Sequence, residues 1–322
     1  MKISVLDKKD FARIYGLLKR YEFNDYRTYR MLDKDSLYKY LLRQCIAPMR
    51  CRDGLLLIAE DNSQVIGLAG LFSLPWDTKH FGVNMARVDF LMAATGHPQV
   101  LDLKKSLLSF LIKLCRDKKI ACLSCRIDTA DICTVHALEE NGFLLMDTIV
   151  TYVFNRRRHL IPKMKDIYKI RLFERTDLSA LQDLASRAFS KDRFHLDPYI
   201  PVEKANSLFK EWVKDSCAKR SSHKVFIAQK SGEVAGFLTF ELNKELERLS
   251  GYKIAGHGLS AVSPQAKGAY VSLVKAAIEE IASHYDCLEF DTQLNNYEVI
   301  KVWQRFGFDF IRAKHTFHKW VK

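Results

Sequence analysis

The chain contains one stretch of sequence twice, 169 residues apart: Ile58-Ala-Glu-Asp-Asn-Ser-Gln-Val-Ile-Gly-Leu-Ala-Gly70 and Ile227-Ala-Gln-Lys-Ser-Gly-Glu-Val-Ala-Gly-Phe-Leu-Thr239. A Gly-Phe pair follows each copy, at Gly142-Phe143 and at Gly307-Phe308, 165 residues apart. Because the two spacings are nearly equal, the second half of the chain repeats the first half with little net insertion. This repeat predicts two similar modules. A duplicated fold needs only one working site, so the differences between the copies bear on function.

The length supports this division, because 322 residues with 48% apolar content are many for one core and suit two domains of ordinary size. A basic stretch that contains a proline, Asn155-Arg-Arg-Arg-His-Leu-Ile-Pro-Lys-Met-Lys165, is typical of a linker. We therefore predict one domain over residues 1–160, which serves as scaffold and substrate side, and a second over residues 161–322, which holds the working site.

Targeting signals and metal motifs are not evident in the sequence. The N-terminus lacks the apolar run of a secretory signal and no apolar stretch reaches spanning length, so we expect a cytoplasmic protein without membrane insertion. Cys122-x-x-Cys125 has no second Cys/His pair at zinc-finger spacing. The eight cysteines are therefore expected to be reduced thiols that mostly fill the core, with no metal site.

The net charge of +13 is a large excess for a chain of this size. Such a field attracts polyanions, which include nucleic acid, an anionic membrane and phosphorylated small molecules. The dense basic run Arg156-Arg157-Arg158 is accompanied by no nucleic-acid-binding motif, and it also suits a solvated linker. We expect a phosphorylated small-molecule substrate and no nucleic-acid partner, and a homodimer is left open.

The second half shows a clear order of elements. Hydrophobic periodicity predicts a strand, two helices, a hairpin, and then a strand, helix, strand, helix and final strand. The first half follows the same order until its fourth strand, where no Lys/Arg-Gly cluster precedes the helix near Leu101. The pattern predicts an α+β (α/β sandwich) fold, with a mixed, mostly antiparallel sheet flanked by helices in each half.

One loop of the second half combines the features of an anion site. Val262-Ser-Pro-Gln-Ala-Lys-Gly-Ala-Tyr-Val-Ser272 places a strand end, a basic turn and a helix start in succession. The first N–H groups of a helix are unpaired and carry partial positive charge, so they suit a diphosphate. An ordinary strand–turn–helix connection with one glycine would also explain this sequence. The candidate binding residues are Val262, Lys267, Gly268, Ala269, Tyr270, Val271 and Ser272.

The end of the chain resembles the GNAT acyltransferase superfamily. Asn295-Asn-Tyr-Glu-Val-Ile-Lys-Val-Trp-Gln-Arg-Phe-Gly-Phe308 is similar to its ending, Asn-x-x-Ala-x-x-x-Tyr followed by Gly-Phe, with Asn296 at the Asn position and Trp303 at the Tyr position. The Lys267 loop resembles the superfamily's Arg-Gly-x-Gly-x-Gly loop, with Tyr270 and Ser272 in place of two glycines. The resemblance implies two tandem GNAT-like domains, and acyl-CoA bound by the second, with Asn296 among its contacts.

Two further motifs resemble those of the sugar-nucleotide N-acyltransferases, which include enzymes acting on dTDP-fucosamine and on dTDP-3-amino-3,6-dideoxyhexoses. They are Leu74-Pro-Trp-Asp-Thr-Lys-His-Phe-Gly-Val-Asn-Met-Ala-Arg87 and Asp192-Arg-Phe-His-Leu-Asp-Pro198. The resemblance implies transfer of an acyl group from acetyl-CoA or a longer acyl-CoA to the amine of a dTDP-linked amino sugar, for surface polysaccharide. The expected substrate-side residues are Trp76, Asp77, Phe81, Arg87, Arg193 and His195. Packing or surface ion pairs would also explain each of them.

The implied chemistry is direct attack of a neutral amine on a thioester, and it needs a modest base at most. His257, flanked by Gly256 and Gly258 on a strand that would border the thioester, is the first candidate base, although it could also be a core histidine. Asp291 is the second candidate, and it could simply face solvent. Tyrosine at the position of Trp303 is thought to protonate the thiolate in much of the superfamily, whereas an indole N–H can only donate a hydrogen bond.

Two other functions fit the same sequence. The first keeps the acyltransferase and changes the acceptor to a peptide, aminoacyl or other small amine. The second is a non-catalytic tandem module that binds a ligand or nucleic acid, which the excess positive charge and Trp303 would favour.

Overall fold

A computed structural model describes residues 1–50, 54–94, 96–155, 158–159, 165, 167–218, 223–282 and 284–321. The chain divides into two compact units. Unit 1 contains Met1–Thr148 and Ala313–Lys322, and unit 2 contains Ile149–Arg312. Most of the basic linker stretch, including Arg156, and also Cys51 lie outside the described residues.

Unit 1 is a mixed sheet flanked by helices. Its strands are β1 (Lys2–Val5), β2 (Leu55–Asp61), β3 (Gln64–Ser73), β4 (Met85–Ala93), β5 (Cys122–Asp128) and the start of β6 (Leu144–Asn155). Its helices are α1 (Tyr15–Arg20), α2 (Lys34–Ile46), α3 (Pro75–Phe81), α4 (Val100–Asp117) and α5 (Ile132–Glu140), with short 3₁₀ helices at Lys8–Ile14 and Ala47–Arg50.

Unit 2 repeats this order. Its strands after β6 are β7 (Lys169–Leu172), β8 (His223–Lys230), β9 (Glu233–Leu242), β10 (Ile254–Val262), β11 (Cys287–Gln293) and the start of β12 (Asp309–Trp320). Its helices are α6 (Leu178–Ala188), α7 (Val202–Ala218), α8 (Lys244–Ser250), α9 (Ala269–Ala282) and α10 (Tyr297–Arg305), with a 3₁₀ turn at Arg175–Asp177. Helix α8 was not predicted from the sequence.

The apolar run in β2 is explained by burial on both faces of the unit 1 sheet. Leu55 and Leu57 belong to a core cluster that includes the buried face of α4, such as Leu107. Leu56 and Ile58 belong to a second cluster, on the side of α1 and α2. Since successive strand residues point to opposite faces, a strand covered on both sides is apolar throughout.

Each unit completes its sheet with a segment from the other half of the sequence. In unit 1 the order is β1-β2-β3-β4-β5-β12, and the β12 segment 314–320 pairs antiparallel with β5. In unit 2 the order is β6-β11-β10-β9-β8-β7, and the β6 segment 149–155 pairs antiparallel with β11. Because the last strands are exchanged, the compact units differ from a division of the chain at one point near residue 160.

Both sheets contain one parallel pair that opens part-way along. In unit 2, β10 and β11 pair from Ile254 and Cys287 as far as Gly256 and Glu289, although β10 continues to Val262 and β11 to Gln293. In unit 1, β4 and β5 pair only as far as Val88. The predicted fold, a mixed and mostly antiparallel sheet with flanking helices in each half, is therefore confirmed.

The described cysteines are free thiols: Cys45, Cys115, Cys122, Cys125, Cys217 and Cys287 are buried and Cys133 is exposed. Burial raises the pKa of the Cys115 thiol to about 12, so this side chain is an uncharged part of the core. Across the described ranges, the helices are all too short or too polar to span a bilayer.

Candidate functional site

The opening between β10 and β11 begins beside a β-bulge in β10. His257 is opposite Phe240 of β9 and Ser260 is opposite Leu238, so Gly258 and Leu259 together face the single residue Thr239. A bulge turns the strand and interrupts regular pairing. The bulge thus lies just after Gly256, the last residue of β10 that pairs with β11.

The bulge is held by Thr239, which is buried on β9. Its hydroxyl oxygen accepts a hydrogen bond from the Leu259 N–H at 2.7 Å. A Cβ atom on Gly258 would lie 2.4 Å from this oxygen. Gly258 therefore admits the Thr239 hydroxyl to the bulge, because a larger side chain at this position would collide with it.

Beyond the bulge, β10 presents backbone groups to the opening. The Ser263 N–H donates to the Ala235 carbonyl at 2.8 Å, and Val262 is opposite Gly236. Because antiparallel pairs alternate between hydrogen-bonded and non-hydrogen-bonded, the N–H groups of Val262 and Ser260 point away from β9, towards the opening. Such groups can pair with an extended ligand that lies beside the strand.

The loop after β10 ends in a helix start with unpaired donors. The Ala266, Lys267 and Ala269 N–H groups bond to carbonyls within the loop, and the Ser272 N–H bonds to the Gly268 carbonyl. Among the described residues, no acceptor is recorded for the N–H groups of Gly268, Tyr270 and Val271. These three donors lie at the positive end of the 14-residue helix α9, whose first turn contains no acidic residue.

The backbone of this loop depends on Gly268, which has a φ of +84°. A Cβ atom here would also lie 3.0 Å from Ile167 Cδ1. Tyr270 and Ser272, which replace two glycines of the resembled loop, both lie outside the left-handed region. The substitutions therefore leave the backbone donors in place, and the exposed Lys267 adds a full positive charge.

His257 lies where β10 and β11 separate, stacked on Phe290 of β11 with ring centroids 5.0 Å apart. Both of its ring nitrogens are buried, and neither has a hydrogen-bond partner among the described residues. Burial lowers the pKa of His257 to about 4, and the nearby polar backbone of Asp291 partly opposes this shift. The ring is therefore neutral near pH 7, and its unpaired nitrogens are free to bond to a ligand.

Asp291, the second candidate base, does not share these surroundings. It is exposed, whereas its neighbours Phe290 and Thr292 are buried. Since adjacent strand residues point to opposite faces, the Asp291 side chain lies on the other face of β11 from the Phe290 ring.

Trp303 on α10 is completely buried, and its ring lies 5.5 Å from that of Phe290. Its indole N–H donates to the Tyr270 hydroxyl at 2.9 Å. The donor that could have bonded to a thioester sulfur is thus already used. Tyr270 is also hydrogen bonded to Ser260, while burial raises its pKa well above the usual range and these two bonds oppose the shift.

Asn296 is the N-cap residue of α10, but its side chain does not cap the helix. Its amide donates to the Thr292 hydroxyl at 2.9 Å and so fixes the turn between β11 and α10. A contact of Asn296 with acyl-CoA remains a prediction.

The substrate-side residues predicted in unit 1 cluster around α3 and β4. Trp76 is 39% exposed and stacks on His80 with ring centroids 5.9 Å apart, and Asp77 is partly buried on the same helix. Phe81 is buried, so it packs rather than presents an open face. Arg87 is exposed, pairs with Asp89 at 2.8 Å and lies over the Phe72 ring.

The two substrate-side residues predicted in unit 2, Arg193 and His195, both contact neighbouring side chains. Arg193 lies over the Phe194 ring at 4.2 Å. His195 uses both ring nitrogens inside the protein, with Asp192 at 2.5 Å and Asn206 at 2.9 Å. His195 therefore fixes the loop between α6 and α7, and recognition of substrate by its ring would require one of these bonds to break.

Three residues of this site were not found from the sequence, namely Thr239, Ser260 and the Tyr270 phenol. Thr239 and Ser260 look like ordinary strand residues, and only the bulge shows their contacts. Tyr270 had been selected for its backbone N–H alone. Its side chain could have been noticed as the only tyrosine in the stretch 262–272, close to the deviating Trp303.

The chain is similar to known proteins in sequence and in fold. Residues 178–308 match the family model described as the acetyltransferase (GNAT) family. A curated relative is a spore coat polysaccharide biosynthesis protein, SpsD of Bacillus subtilis (strain 168), 28% identical over 147 residues. That match covers 45% of this chain and 48% of the relative, so it spans about half of the relative's length.

Solved structures are similar over the whole chain. A tandem GNAT protein from the clavulanic acid biosynthesis pathway has a TM-score of 0.62 at 13% identity, covering 100% of this chain and 98% of its own. A GCN5-related N-acetyltransferase from Sphaerobacter thermophilus has a TM-score of 0.66 at 11% identity, covering 100% and 96%. These likenesses show the fold and confirm two tandem GNAT-like domains.

Proposed function

Because residues 178–308 match the family model described as the acetyltransferase (GNAT) family, we propose that this protein transfers an acyl group from acyl-CoA to the amine of a nucleotide-linked amino sugar. The nucleotide is dTDP, and the product is used for a surface polysaccharide. Residues 161–322 provide the acyl-CoA site, and the Trp76–Arg87 and Asp192–Pro198 motifs provide contacts to the sugar nucleotide.

The three unpaired N–H groups of Gly268, Tyr270 and Val271 are the observation that carries this proposal. They lie at the start of α9 with Lys267 beside them, where they offer hydrogen-bond donors to an anion. A diphosphate matches such a helix start in charge and in hydrogen bonding. The opening between β10 and β11 begins one short loop away, so a pantetheine chain that leaves the diphosphate would run along the N–H groups of Val262 and Ser260.

The acceptor class is supported by a relative, by sequence motifs and by charge. The relative is a spore coat polysaccharide biosynthesis protein, 28% identical over 45% of this chain. The sugar-nucleotide motifs and the net charge of +13 point in the same direction, because a dTDP-sugar is itself a diphosphate. Arg87 and Arg193 supply guanidinium groups suited to phosphate oxygens.

The chemistry is attack of the neutral amine on the thioester carbonyl. A sugar amine has a pKa of about 8, so a useful fraction is neutral near physiological pH. His257, with a pKa of about 4, is a weak base that stays neutral and accepts a hydrogen bond from the amine. The proton lost by nitrogen then passes to water, and an N–H group of β10 near Val262 stabilises the oxyanion.

The direct test is a thiol-release assay with purified full-length protein. Acetyl-CoA is supplied together with dTDP-fucosamine or a dTDP-3-amino-3,6-dideoxyhexose, and free thiol is titrated; CoA binding is measured separately by calorimetry. We expect CoA binding and thiol release that depends on the amino sugar.

The alternatives predict different results. Thiol release with an aminoacyl or peptide amine, and none with the dTDP sugars, would keep the enzyme class and overturn the acceptor. No CoA binding, combined with salt-sensitive retention on DNA, would overturn the acyltransferase and favour a binding module.

A further inference from the structure

The departing thiolate needs a proton. When the tetrahedral intermediate collapses, the C–S bond breaks and its electron pair stays on sulfur. A thiol of ordinary pKa, about 8.5, leaves more easily when it is protonated as it departs. The indole of Trp303 cannot supply this proton, because an indole N–H is a hydrogen-bond donor only.

A phenol lies one hydrogen bond from that indole. The Tyr270 hydroxyl accepts the Trp303 N–H at 2.9 Å and is also hydrogen bonded to Ser260. Ser260 is the residue that ends the β10 bulge, and its N–H points towards the opening between β10 and β11. The phenol thus joins α10 to the part of β10 beside which the thioester would lie.

We propose that Tyr270 is the residue that protonates the thiolate of the leaving CoA. This inference rests on the proposed acyltransferase function. The phenol proton moves to sulfur as the C–S bond breaks, which gives free CoA thiol and a phenolate. The amine nitrogen loses one proton to water, and a proton from water restores the phenol, so the overall reaction is amine plus thioester to amide plus thiol.

The surroundings of Tyr270 fit this role. Burial keeps the pKa of Tyr270 above the usual range, so the phenol is protonated at the start of every cycle. The two bonds from Trp303 and Ser260 stabilise the phenolate after the transfer, because both partners can donate to its oxygen. A buried tryptophan at position 303 is then a support for the phenol rather than a defect.

The test is Tyr270→Phe in the full-length protein, which removes only the hydroxyl. We expect kcat for thiol release from acetyl-CoA with dTDP-fucosamine, or with whichever amine the wild type accepts, to fall about 100-fold. CoA affinity, measured by calorimetry, should change by less than about twofold. Tyr152→Phe is the matched control: this ring also packs on Trp303, with centroids 5.6 Å apart, and kcat should stay within about threefold of the wild type.

A rescue experiment separates proton donation from packing. Trp303→Tyr in the Tyr270→Phe background brings a phenol back from α10, and it should restore at least about tenfold of the lost kcat. Unchanged kcat in Tyr270→Phe would overturn the proposal, as would a loss of CoA affinity equal to the loss of kcat. If the wild type itself neither binds CoA nor releases thiol, the proposed function fails first, and this inference with it.

Discussion

The two units share a scaffold but differ at the helix that follows the fourth strand. In unit 2, α9 begins after Gly268 with unpaired N–H groups and no acidic residue in its first turn. In unit 1, α4 begins at Val100 and carries Asp102 in its first turn, where a carboxylate occupies the favourable electrostatic position and repels a diphosphate.

The next helix start differs in the same sense. In unit 1, Asp131 at the start of α5 is tied to Lys104 of α4 by a buried ion pair at 2.8 Å, and Thr134 shares the lysine. In unit 2, Asn296 at the start of α10 bonds to Thr292 of its own strand end. The start of α5 in unit 1 is therefore held by a buried ion pair, whereas the start of α10 in unit 2 is held by a hydrogen bond between neutral side chains.

The opening between the parallel strands is kept in both units. Pairing stops at Val88 in unit 1 and just before His257 in unit 2. On the proposed function, separated strands alone do not make a cofactor site, and the residues at the helix starts decide which unit binds acyl-CoA.

The largest expected effect comes from breaking the internal pair of unit 1. Lys104→Met leaves the Asp131 carboxylate buried without its cation, so the free energy of unfolding should fall by about 3–5 kcal/mol. Urea denaturation at neutral pH measures this. Lys105→Met, on the exposed side of α4, is the control and should have little effect, since Lys105 pairs with Glu140 at the surface. An equal loss in both variants would show that the buried pair has no special role in unit 1.

The second prediction concerns pH and His257. Its pKa is about 4 in the folded protein, below the ordinary value of 6.5, so the unfolded chain takes up the proton first as the pH falls. The contribution of neutral His257 to stability is complete above about pH 6.5 and is lost down to about pH 4.

Between about pH 7 and about pH 5 the loss from this residue alone should be about 2 kcal/mol. His257→Val, which gives unit 2 the residue type found at Val88, should flatten the pH dependence of the unfolding free energy by this amount. Urea denaturation at both pH values provides the comparison, and parallel profiles for wild type and variant would contradict the burial of a neutral ring.

The third prediction compares two glycines with positive φ, one in each unit. Gly268→Ala should weaken CoA binding by at least about tenfold, because an alanine pays ~1–2 kcal/mol for this conformation and the loop must shift. Gly96→Ala, at φ +79° before α4, should be strained in the same way but leave CoA affinity unchanged. Calorimetry with CoA decides, and equal effects in the two variants would mean that the α9 loop is not the diphosphate site.

The smallest effect is expected for Lys267→Ala. An exposed lysine adds one charge beside the helix start, so CoA affinity should fall about threefold, and less at high salt. Lys105→Ala, which removes a surface lysine from α4 of unit 1, is the control and should not change CoA binding. A loss that does not depend on salt would point to a direct structural role of Lys267.

Much of the fold could be read from local patterns. The internal repeat predicted two modules, and hydrophobic periodicity predicted the order of the strands and helices in the second half apart from α8. Hydrophobic periodicity reports which face of an element is buried, and glycine and proline mark turns. Both signals are local, so they can be read from the sequence alone. The resemblance to the GNAT superfamily added the expectation of two GNAT-like domains and of acyl-CoA in the second.

What the sequence by itself determined is thus the duplication, the order of elements and the loop that ends at Gly268. Only the tertiary structure decided that the units exchange their last strands, that Thr239 fills the space left by Gly258, and that the Trp303 indole is bonded to Tyr270. The physical reason is that periodicity and propensity are local, whereas strand partners and side-chain hydrogen bonds join residues tens to hundreds of positions apart. Packing of the core decides which side chains contact each other, and local sequence patterns do not specify those contacts.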